Sequence, residues 1–288
     1  MRLLDYKKDI FSQTGEDGVL AKVLSILPDC DKWCVEFGAW DGQLFSNTCH
    51  LVDEAGYSAV MIEGDKDRFK DLMKRHGNKP GFIGLNAMVG FTEADSLDHL
   101  LAQTPIPKNF DLLSIDIDGN DYYTWKATVQ YRPKVVVIEF NPTIPAEYEF
   151  VQEPDPTLNQ GCSLLSLNLL GKSKGYELVA VTKLNAIFVL AEYYPLFGIT
   201  DNSLQTLRED TSHITYLAAT YDGRIMVLGN DRMPWHGIKY AWIIRRVPKI
   251  FRSYPGNFGP IRLWFFKHYK SIIKRIRFNR PPAGLKTK

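Results

Sequence analysis

The chain has 288 residues, of which 45% are hydrophobic and 12% aromatic, so it can bury one substantial core and a smaller appendage. No stretch approaches the roughly 18 uninterrupted apolar residues of a spanning helix, which excludes a protein that crosses a membrane by itself. The net charge of +2 hides an asymmetry, because residues 232–288 hold fifteen Lys or Arg and no Asp or Glu. The first 231 residues therefore hold 20 basic and 33 acidic side chains, a net charge of −13.

The amino terminus and the cysteines bear on the cellular compartment. Residues 1–9 are charged and lack the apolar run of a signal peptide. The four cysteines show neither paired metal spacing nor a dense disulfide pattern; they are Cys30, Cys34, Cys49 and Cys162. We therefore expect a cytoplasmic protein with reduced thiols.

The first predicted strand, residues 33–37, ends in an acid and a glycine-containing turn before a helix, which is typical of nucleotide-like cofactor sites. Glycines let the backbone approach a ligand that a Cβ would exclude, and Ser46 or Asn47 is placed to cap the helix. Glu36 would repel a pyrophosphate but attract the cationic amino-acid end of S-adenosylmethionine (SAM). A SAM site, a dinucleotide site and a turn without a ligand are the three interpretations. The candidate cofactor contacts in this turn are Glu36, Gly38, Ala39, Gly42 and Asn47.

Seven predicted strands alternate with helical patterns, which indicates an α/β fold with a doubly wound sheet. They cover residues 33–37, 58–62, 82–85, 112–117, 135–140, 176–182 and 186–190. Only three residues separate the last two strands, too few for a helical crossover, so we expect an antiparallel hairpin at one end of an otherwise parallel sheet. This final hairpin predicts the Rossmann-like fold of class I methyltransferases rather than an ordinary dinucleotide-binding domain.

The second and third predicted strands each lead to one further candidate for a cofactor contact. Glu63 ends the second strand, 27 residues after Glu36, where a carboxylate can accept both ribose hydroxyls; the alternative is a solvated acid that caps the next helix. Asn86 follows the third strand and either hydrogen-bonds the adenine edge or forms a turn.

Oxygen-bearing side chains cluster after the fourth and fifth strands. Asp116 and Asp118 end the fourth strand, and Glu139 and Asn141 end the fifth. Oxygen ligands from two adjacent strand ends suit Mg²⁺, with Asp116, Glu139 and Asn141 as candidate ligands. They equally suit the ammonium of SAM and the hydroxyl of an acceptor, whose proton Asp116, Asp118 or Glu139 could take as general base.

Two segments fall outside the strand–helix alternation. Residues 141–161 carry four prolines and leave the carboxyl end of the fifth strand, where ligands bind in such sheets, so we predict a substrate lid. Residues 191–231 include a second small β element around 220–228. We therefore predict a methyltransferase-type domain at 1–190, an appendage at 191–231 and a basic tail at 232–288.

The basic tail predicts an amphipathic helical extension over residues 260–277. One side gathers Ile261, Phe265, Tyr269, Ile272, Ile273 and Ile276, and the other Lys267, Lys270, Lys274 and Arg277. Such a helix suits the surface of an anionic membrane. Packing of its apolar face on the acidic domain and binding of single-stranded RNA are the alternatives.

Five motifs occur in order along the chain: 11–18 (FSQTGEDG), 36–39 (EFGA) with Gly42, 62–65 (IEGD), 114–121 (SIDIDGND) and 137–142 (VIEFNP). In these motifs residues 10–190 resemble the FkbM-type methyltransferases, whereas the basic tail lies outside the resemblance. It implies SAM-dependent O-methylation, often of sugar or polyketide-linked hydroxyls, and places Gln13 and Asp17 over the cofactor. The positions that match the family's cofactor motifs are Glu36, Gly38, Glu63 and Asp116.

The sequence and this resemblance together predict a SAM-dependent O-methyltransferase that acts on a saccharide or glycolipid hydroxyl in surface polysaccharide assembly, with peripheral membrane association. A nucleic-acid methyltransferase is the first alternative. It is not favoured, because the fourth strand ends in Ile-Asp-Ile-Asp-Gly and not in the Asn-Pro-Pro-aromatic motif of enzymes that methylate base amino groups. A non-catalytic scaffold with a SAM-type fold is the second.

Overall fold

The computed structural model describes residues 1–244, 247–275 and 286–287. The chain divides into a main unit, Met1–Asp210 with Gly284–Lys288, and a second unit, Thr211–Ala283. The boundaries predicted at residues 190 and 231 lie on either side of this division.

The main unit is built on a seven-stranded sheet with the order β3-β2-β1-β4-β5-β8-β7. Its strands are β1 (Trp33–Phe37), β2 (Ser58–Ile62), β3 (Phe82–Leu85), β4 (Leu112–Ile115), β5 (Val135–Glu139), β7 (Tyr176–Val181) and β8 (Asn185–Leu190). The first five of these strands are parallel, and β8 runs antiparallel to both β5 and β7. The predicted doubly wound sheet with an antiparallel final hairpin is confirmed, and this strand arrangement is that of class I methyltransferases.

Helices cover both faces of the sheet. They are α1 (Glu16–Ile26), α2 (Cys49–Glu54), α3 (Lys66–His76), α4 (Leu97–Leu101), α5 (Asp121–Ala127), α6 (Leu164–Ser173) and α7 (Leu204–Leu207), with 3₁₀ helices at Leu3–Tyr6 and Tyr194–Phe197. Local signals fix several of their ends. Asp65, for example, accepts hydrogen bonds from the backbone of Asp67 and Arg68 and so caps the amino terminus of α3.

Alternate residues of each strand face opposite sides of the sheet, so each side has its own core. Val35 of β1 is buried on the side that holds Trp125 of α5, whereas the neighbouring Cys34 is buried on the side that holds Leu20 of α1. Because both faces are buried, the strands are nearly continuous apolar runs, and the polar residues follow where the strands end.

The second unit contains an antiparallel hairpin of β9 (Thr215–Ala219) and β10 (Ile225–Gly229), with the turn at 220–224. It continues with α8 (Tyr240–Ile243), 3₁₀ helices at Lys249–Phe251 and Pro255–Asn257, and the long helix α9 (Pro260–Arg275). The predicted tail helix is therefore present up to Arg275, and the predicted positions Ile276 and Arg277 lie outside the described residues. Among the described residues, no helix is both long enough and apolar enough to cross a bilayer.

One further short strand, β6 (Tyr148–Glu149), lies within the predicted lid and pairs with β11 (Lys286–Thr287).

Candidate functional site

A cavity of about 600 Å³ opens where β1, β2, β4 and β5 end, at the carboxyl edge of the sheet. Five carboxylates line it, and no Lys, Arg or His is among the described residues of its wall. The acids are Glu36, Glu63, Asp116, Asp118 and Glu139. All five were candidates from the sequence, and the fold brings them to one site because the ends of neighbouring parallel strands meet at the same edge.

Glu36 lies on this wall, yet its carboxylate is already engaged by the protein. Oε2 accepts hydrogen bonds from Ser46 Oγ (2.5 Å) and Thr48 Oγ1 (2.7 Å), and Oε1 accepts from Asn47 N (2.8 Å) and Ser114 Oγ (3.3 Å). A carboxylate has about four acceptor positions, so all are occupied. Burial raises the pKa of Glu36 above its usual value, and these hydrogen bonds offset only part of that increase.

Asn47 shares this network and does not line the cavity. Its side chain donates to Ser114 Oγ at 3.1 Å, so together with Glu36 it ties the turn after β1 to the end of β4. Ser46 Oγ accepts from the backbone of Thr48 (3.2 Å) and Cys49 (2.9 Å) and so satisfies the first backbone donor of α2, but the N-cap position is occupied by Thr48 and not by Ser46 or Asn47 as predicted.

The two glycines of the first turn serve different purposes. Gly38 has a φ of +72°, and a Cβ there would lie 1.7 Å from the backbone oxygen of Asp116, so only glycine lets the ends of β1 and β4 approach. Gly42, with a φ of +75°, is crowded instead by Leu72 and His76 of α3 and does not line the cavity. Ala39 is buried and forms part of the wall.

Glu63 is buried at the end of β2 and lines the cavity. Oε2 accepts a hydrogen bond from Trp40 N and Oε1 from Asp65 N, both at 2.7 Å, which leaves each oxygen one acceptor position. Asn86 is exposed and outside the wall; its amide donates to the carbonyl oxygens of Glu63 (2.8 Å) and Gly64 (3.3 Å) and so joins the ends of β2 and β3.

Asp116, Asp118 and Glu139 form the acidic cluster, with carboxylate oxygens within 4.8 Å of one another. Burial raises the pKa of Asp116 to about 8, with further increases from the charges of Asp121 and Asp118. Burial also raises the pKa of Glu139 to about 9, and the charge of Asp116 is the second cause of this increase. Two carboxyls with pKa values this high hold a proton near neutral pH, unless a cation binds beside them.

Asp121, the first residue of α5, shapes the loop that carries this cluster. Its buried carboxylate accepts hydrogen bonds from Ile117 N and Gly119 N, both at 2.9 Å. Asp118 lies between them with a φ of +56°, a conformation that is uncommon for residues other than glycine. The loop therefore holds Asp118 in a strained conformation next to Asp116.

Asn141 stands apart from the acidic cluster. Its Oδ1 accepts hydrogen bonds from Thr143 N (3.0 Å) and Thr143 Oγ1 (2.6 Å), and its amide donates to Gln160 O (2.8 Å). The oxygen that was predicted to bind a metal is thus engaged in a local turn, and Asp118 is the residue that joins Asp116 and Glu139.

Residues 141–161 pass over the cavity through Pro156 and Leu158, which line its wall. Gln152 is buried and holds the segment: Nε2 donates to Leu158 O (2.9 Å) and Asn120 Oδ1 (3.1 Å), and Oε1 accepts from the backbone of Gln160 and Gly161. The predicted lid is therefore a covering segment held by its own buried amide.

The amino-terminal motif also reaches the site. Gln13 is exposed and lines the cavity, as does Leu184 of the β7–β8 turn. Asp17 lies outside the wall; its Oδ2 accepts hydrogen bonds from the backbone of residues 10–12 at 2.7–2.8 Å, while Oδ1 is buried without a partner among the described residues. Glu16 accepts from Asn185 Nδ2 at 3.0 Å and so fastens this motif to β8.

Several apolar wall residues were missed from the sequence, above all Trp40, Leu44, Phe45 and Met88. All four are exposed. Trp40 and Phe45 have φ values of +51° and +59°, and with Asp118 they are three of the five described non-glycine residues with a left-handed backbone. Such strain is concentrated at functional sites, but it cannot be found from residue types alone.

Comparison with protein-family models gives no match, and comparison with curated proteins gives none either. The chain is similar in structure to the CurJ carbon methyltransferase, at 10% identity and a TM-score of 0.42, over 65% of this chain and 56% of that one. It is similar to the CcbJ methyltransferase from Streptomyces caelestis (10% identity, 66% and 96%, TM-score 0.39) and to the Methanococcus jannaschii fibrillarin pre-rRNA processing protein (12% identity, 56% and 66%, TM-score 0.40). The chain spans about half the length of the CurJ structure, and at these TM-scores the likenesses bear on neither activity nor substrate.

Proposed function

We propose that the cavity binds SAM and that the protein is a SAM-dependent methyltransferase. The observation that carries this proposal is the charge of the wall, which has five carboxylates and no basic side chain among its described residues. SAM brings a sulfonium and an ammonium, two cationic centres that offset the repulsion among these clustered acids. The pyrophosphate of a dinucleotide would add negative charge to an acidic cavity, which makes the dinucleotide alternative the weaker one.

The carboxylates of the wall differ in how many of their acceptor positions the protein already occupies, and this difference suggests a separate role for each. Glu63 keeps one acceptor position on each oxygen, so it suits the two ribose hydroxyls. Glu36 has none left, so it acts as a positioning residue that orients the turn at 46–48 and adds negative charge to the wall. Asp116 and Glu139 have raised pKa values, so once a bound cation has favoured their deprotonated forms each is a stronger base than an ordinary carboxylate and suits removal of a hydroxyl proton.

Methyl transfer is an in-line displacement that requires the acceptor oxygen about 3 Å from the methyl carbon, so positioning supplies most of the rate. We propose a saccharide or glycolipid hydroxyl as the acceptor, in surface polysaccharide assembly. The resemblance of the motifs to FkbM-type methyltransferases supports this class, and the exposed Trp40, Leu44 and Phe45 offer an apolar rim for the C–H face of a sugar ring. The acidic wall disfavours a nucleic-acid acceptor, whose phosphates it would repel.

Mg²⁺ is a second candidate occupant of the acidic cluster. Three carboxylates with oxygens within 4.8 Å of one another fit the oxygen ligands that this ion prefers. A bound divalent ion would lower the pKa of an acceptor hydroxyl. An assay of methyl transfer in the presence of EDTA distinguishes a carboxylate general base from a bound metal ion. Only metal-assisted transfer is lost on chelation and restored by Mg²⁺.

Calorimetric titration of the purified protein with SAM, and separately with NAD, tests the cofactor. We expect SAM to bind and Glu63→Gln to weaken binding by about 1–3 kcal/mol, the cost of losing hydrogen bonds at a charged group. Glu93→Gln, an exposed acid outside the cavity, is the matched control and should leave the affinity unchanged. Binding of NAD without binding of SAM would contradict the proposal.

The acceptor class needs a second readout. Incubation with methyl-labelled SAM and cell extracts should place label in the glycan or glycolipid fraction. Label that is found only in RNA would replace the acceptor proposal by the nucleic-acid alternative, and binding of SAM without any transfer would favour a scaffold.

A further inference from the structure

Helix α9 of the second unit has an inner side that packs within that unit. Phe266 contacts Phe251 and Phe258, with ring centroids 5.5 and 5.4 Å apart, and Tyr269 contacts Phe251 at 5.6 Å. Arg262 covers Phe258, with its guanidinium carbon 4.0 Å from the ring centroid. These aromatic contacts fix which way the helix faces.

The outer side of α9 is apolar and exposed. Ile261, Trp264, Phe265 and Ile272 are 75%, 54%, 55% and 61% exposed, and their spacing of three, four and seven residues places them on one face. The face predicted from the sequence is corrected in part, because Tyr269 belongs to the inner side and Trp264 to the outer one. We call this four-residue surface the α9 outer face.

Lys267 borders this face, one turn after Trp264, whereas Lys270 lies toward the inner side, with its Nζ 5.6 Å from the ring centroid of Phe266. Lys267 and Lys270 are exposed, and no acidic side chain of the described residues forms a salt bridge with either. The sequence contains no Asp or Glu after residue 231, so the whole segment around the helix is basic. A charge of this sign attracts an anionic surface and repels a basic one.

We propose that the α9 outer face binds the surface of an anionic lipid bilayer. The helix has 16 residues, about 24 Å at 1.5 Å per residue, and lies in the plane of the interface with Trp264 and Phe265 among the headgroups and Ile261 and Ile272 toward the acyl chains. Lys267 contacts anionic headgroups, and the positive charge of the surrounding basic segment adds to the attraction. A single-stranded nucleic acid is the poorer occupant, because half of the face is aliphatic and offers no ring for bases to stack on. This inference does not rest on the proposed methyl transfer.

Sedimentation of the full-length protein with phosphatidylcholine vesicles, with and without phosphatidylglycerol, tests the proposal. Binding should require phosphatidylglycerol and fall steeply from low to high salt. The double variant Trp264→Ser, Phe265→Ser should bind at least about tenfold more weakly, because it removes two interfacial side chains. Lys267→Gln should lower binding by up to about fivefold, and Lys270→Gln should lower it less, because Lys270 lies toward the inner side.

Val129→Ser, which changes an exposed apolar residue of the main unit, is the matched control and should bind as the wild type does. Quenching of tryptophan fluorescence by brominated lipids, compared between wild type and Trp264→Phe, gives a readout that does not depend on the stability of the double variant. Equal binding of wild type and double variant, no loss of quenching in Trp264→Phe, or binding of a single-stranded RNA oligonucleotide in place of vesicles would overturn the proposal.

Discussion

At Gly38 a single hydrogen in place of a side chain lets two strand ends meet. We predict that Gly38→Ala lowers the free energy of unfolding by about 3 kcal/mol or more, from a left-handed φ of +72° and the overlap of the new Cβ with the Asp116 backbone. It should also abolish SAM binding, because relief of the overlap must move the loop that carries Asp116. Chemical denaturation and calorimetry measure the two effects.

Gly198→Ala is a suitable control, since Gly198 has a φ of +58° but, among the described residues beyond its chain neighbours, no atom lies within 4 Å of the position that a Cβ would take. It should cost only the conformational penalty of about 1–2 kcal/mol and leave SAM affinity unchanged. Similar losses in both variants would show that backbone conformation, and not the approach to Asp116, is what requires glycine at residue 38.

Asp116 links the chemistry of the site to the pH dependence of stability. Its pKa of about 8 and that of Glu139, about 9, lie above the unfolded values near 4, so the folded state binds these protons more tightly. The contribution of these groups to stability is therefore full below about pH 4 and is lost as the pH rises toward about 9. SAM affinity should change in the opposite direction, because the deprotonated acids attract its cations.

We predict that Asp116→Asn stabilises the ligand-free protein at pH 9 relative to wild type, reduces the loss of stability between pH 5 and 9, and lowers methyl transfer by about 10²–10⁴-fold. Denaturation curves across this pH range, with transfer assayed in parallel, measure the three effects. Asp71→Asn, an exposed acid on α3, is the control. An Asp116→Asn variant with wild-type pH dependence and activity would contradict both the assigned protonation and the assigned role.

Among the elements, the strands could be predicted well because their signal is local. Strands buried on both faces are continuous apolar runs bounded by polar residues, and β1, β2 and β3 begin and end where the sequence places them. The strand ends also located the five acids of the wall, since ligands bind at the carboxyl edge of such sheets. The last strands of the sheet deviate by one or two residues, because their polar ends are shared with turns.

The connections between elements were harder to predict, because their side chains find partners that are distant in sequence. Asn47 and Asn86 were expected at the ligand, but their amides bind protein groups 67 and 23 residues away. Gln152 gave no signal in the sequence, although it holds the segment that covers the cavity. A polar residue after a strand therefore indicates the site, whereas its partner is set by loop geometry that residue types do not encode.

In the whole molecule, the acidic and the basic residues lie in different parts of the chain, and so do the two candidate binding sites. Every residue of the two buried cores and of the acidic cavity lies before residue 208, in the main unit. Residues 1–210 hold 19 Lys or Arg against 31 Asp or Glu, a net charge of −12, while the basic segment begins after residue 231. An acidic part with the candidate cofactor site and a basic part with the α9 outer face are thus encoded in succession.

This separation leads to a prediction for the fragment that ends at Asp210. Because it retains both cores and the whole cavity wall, we expect it to unfold in one cooperative transition and to bind SAM within about threefold of the full-length affinity. Among the described residues of the main unit, it loses the two-residue pairing of β11 with β6. Its net negative charge should also keep it from vesicles that contain phosphatidylglycerol. Thermal unfolding, calorimetry and vesicle sedimentation of the fragment and the full-length chain measure these effects. A fragment that fails to fold, or that folds without binding SAM, would show that the candidate site depends on residues after 210.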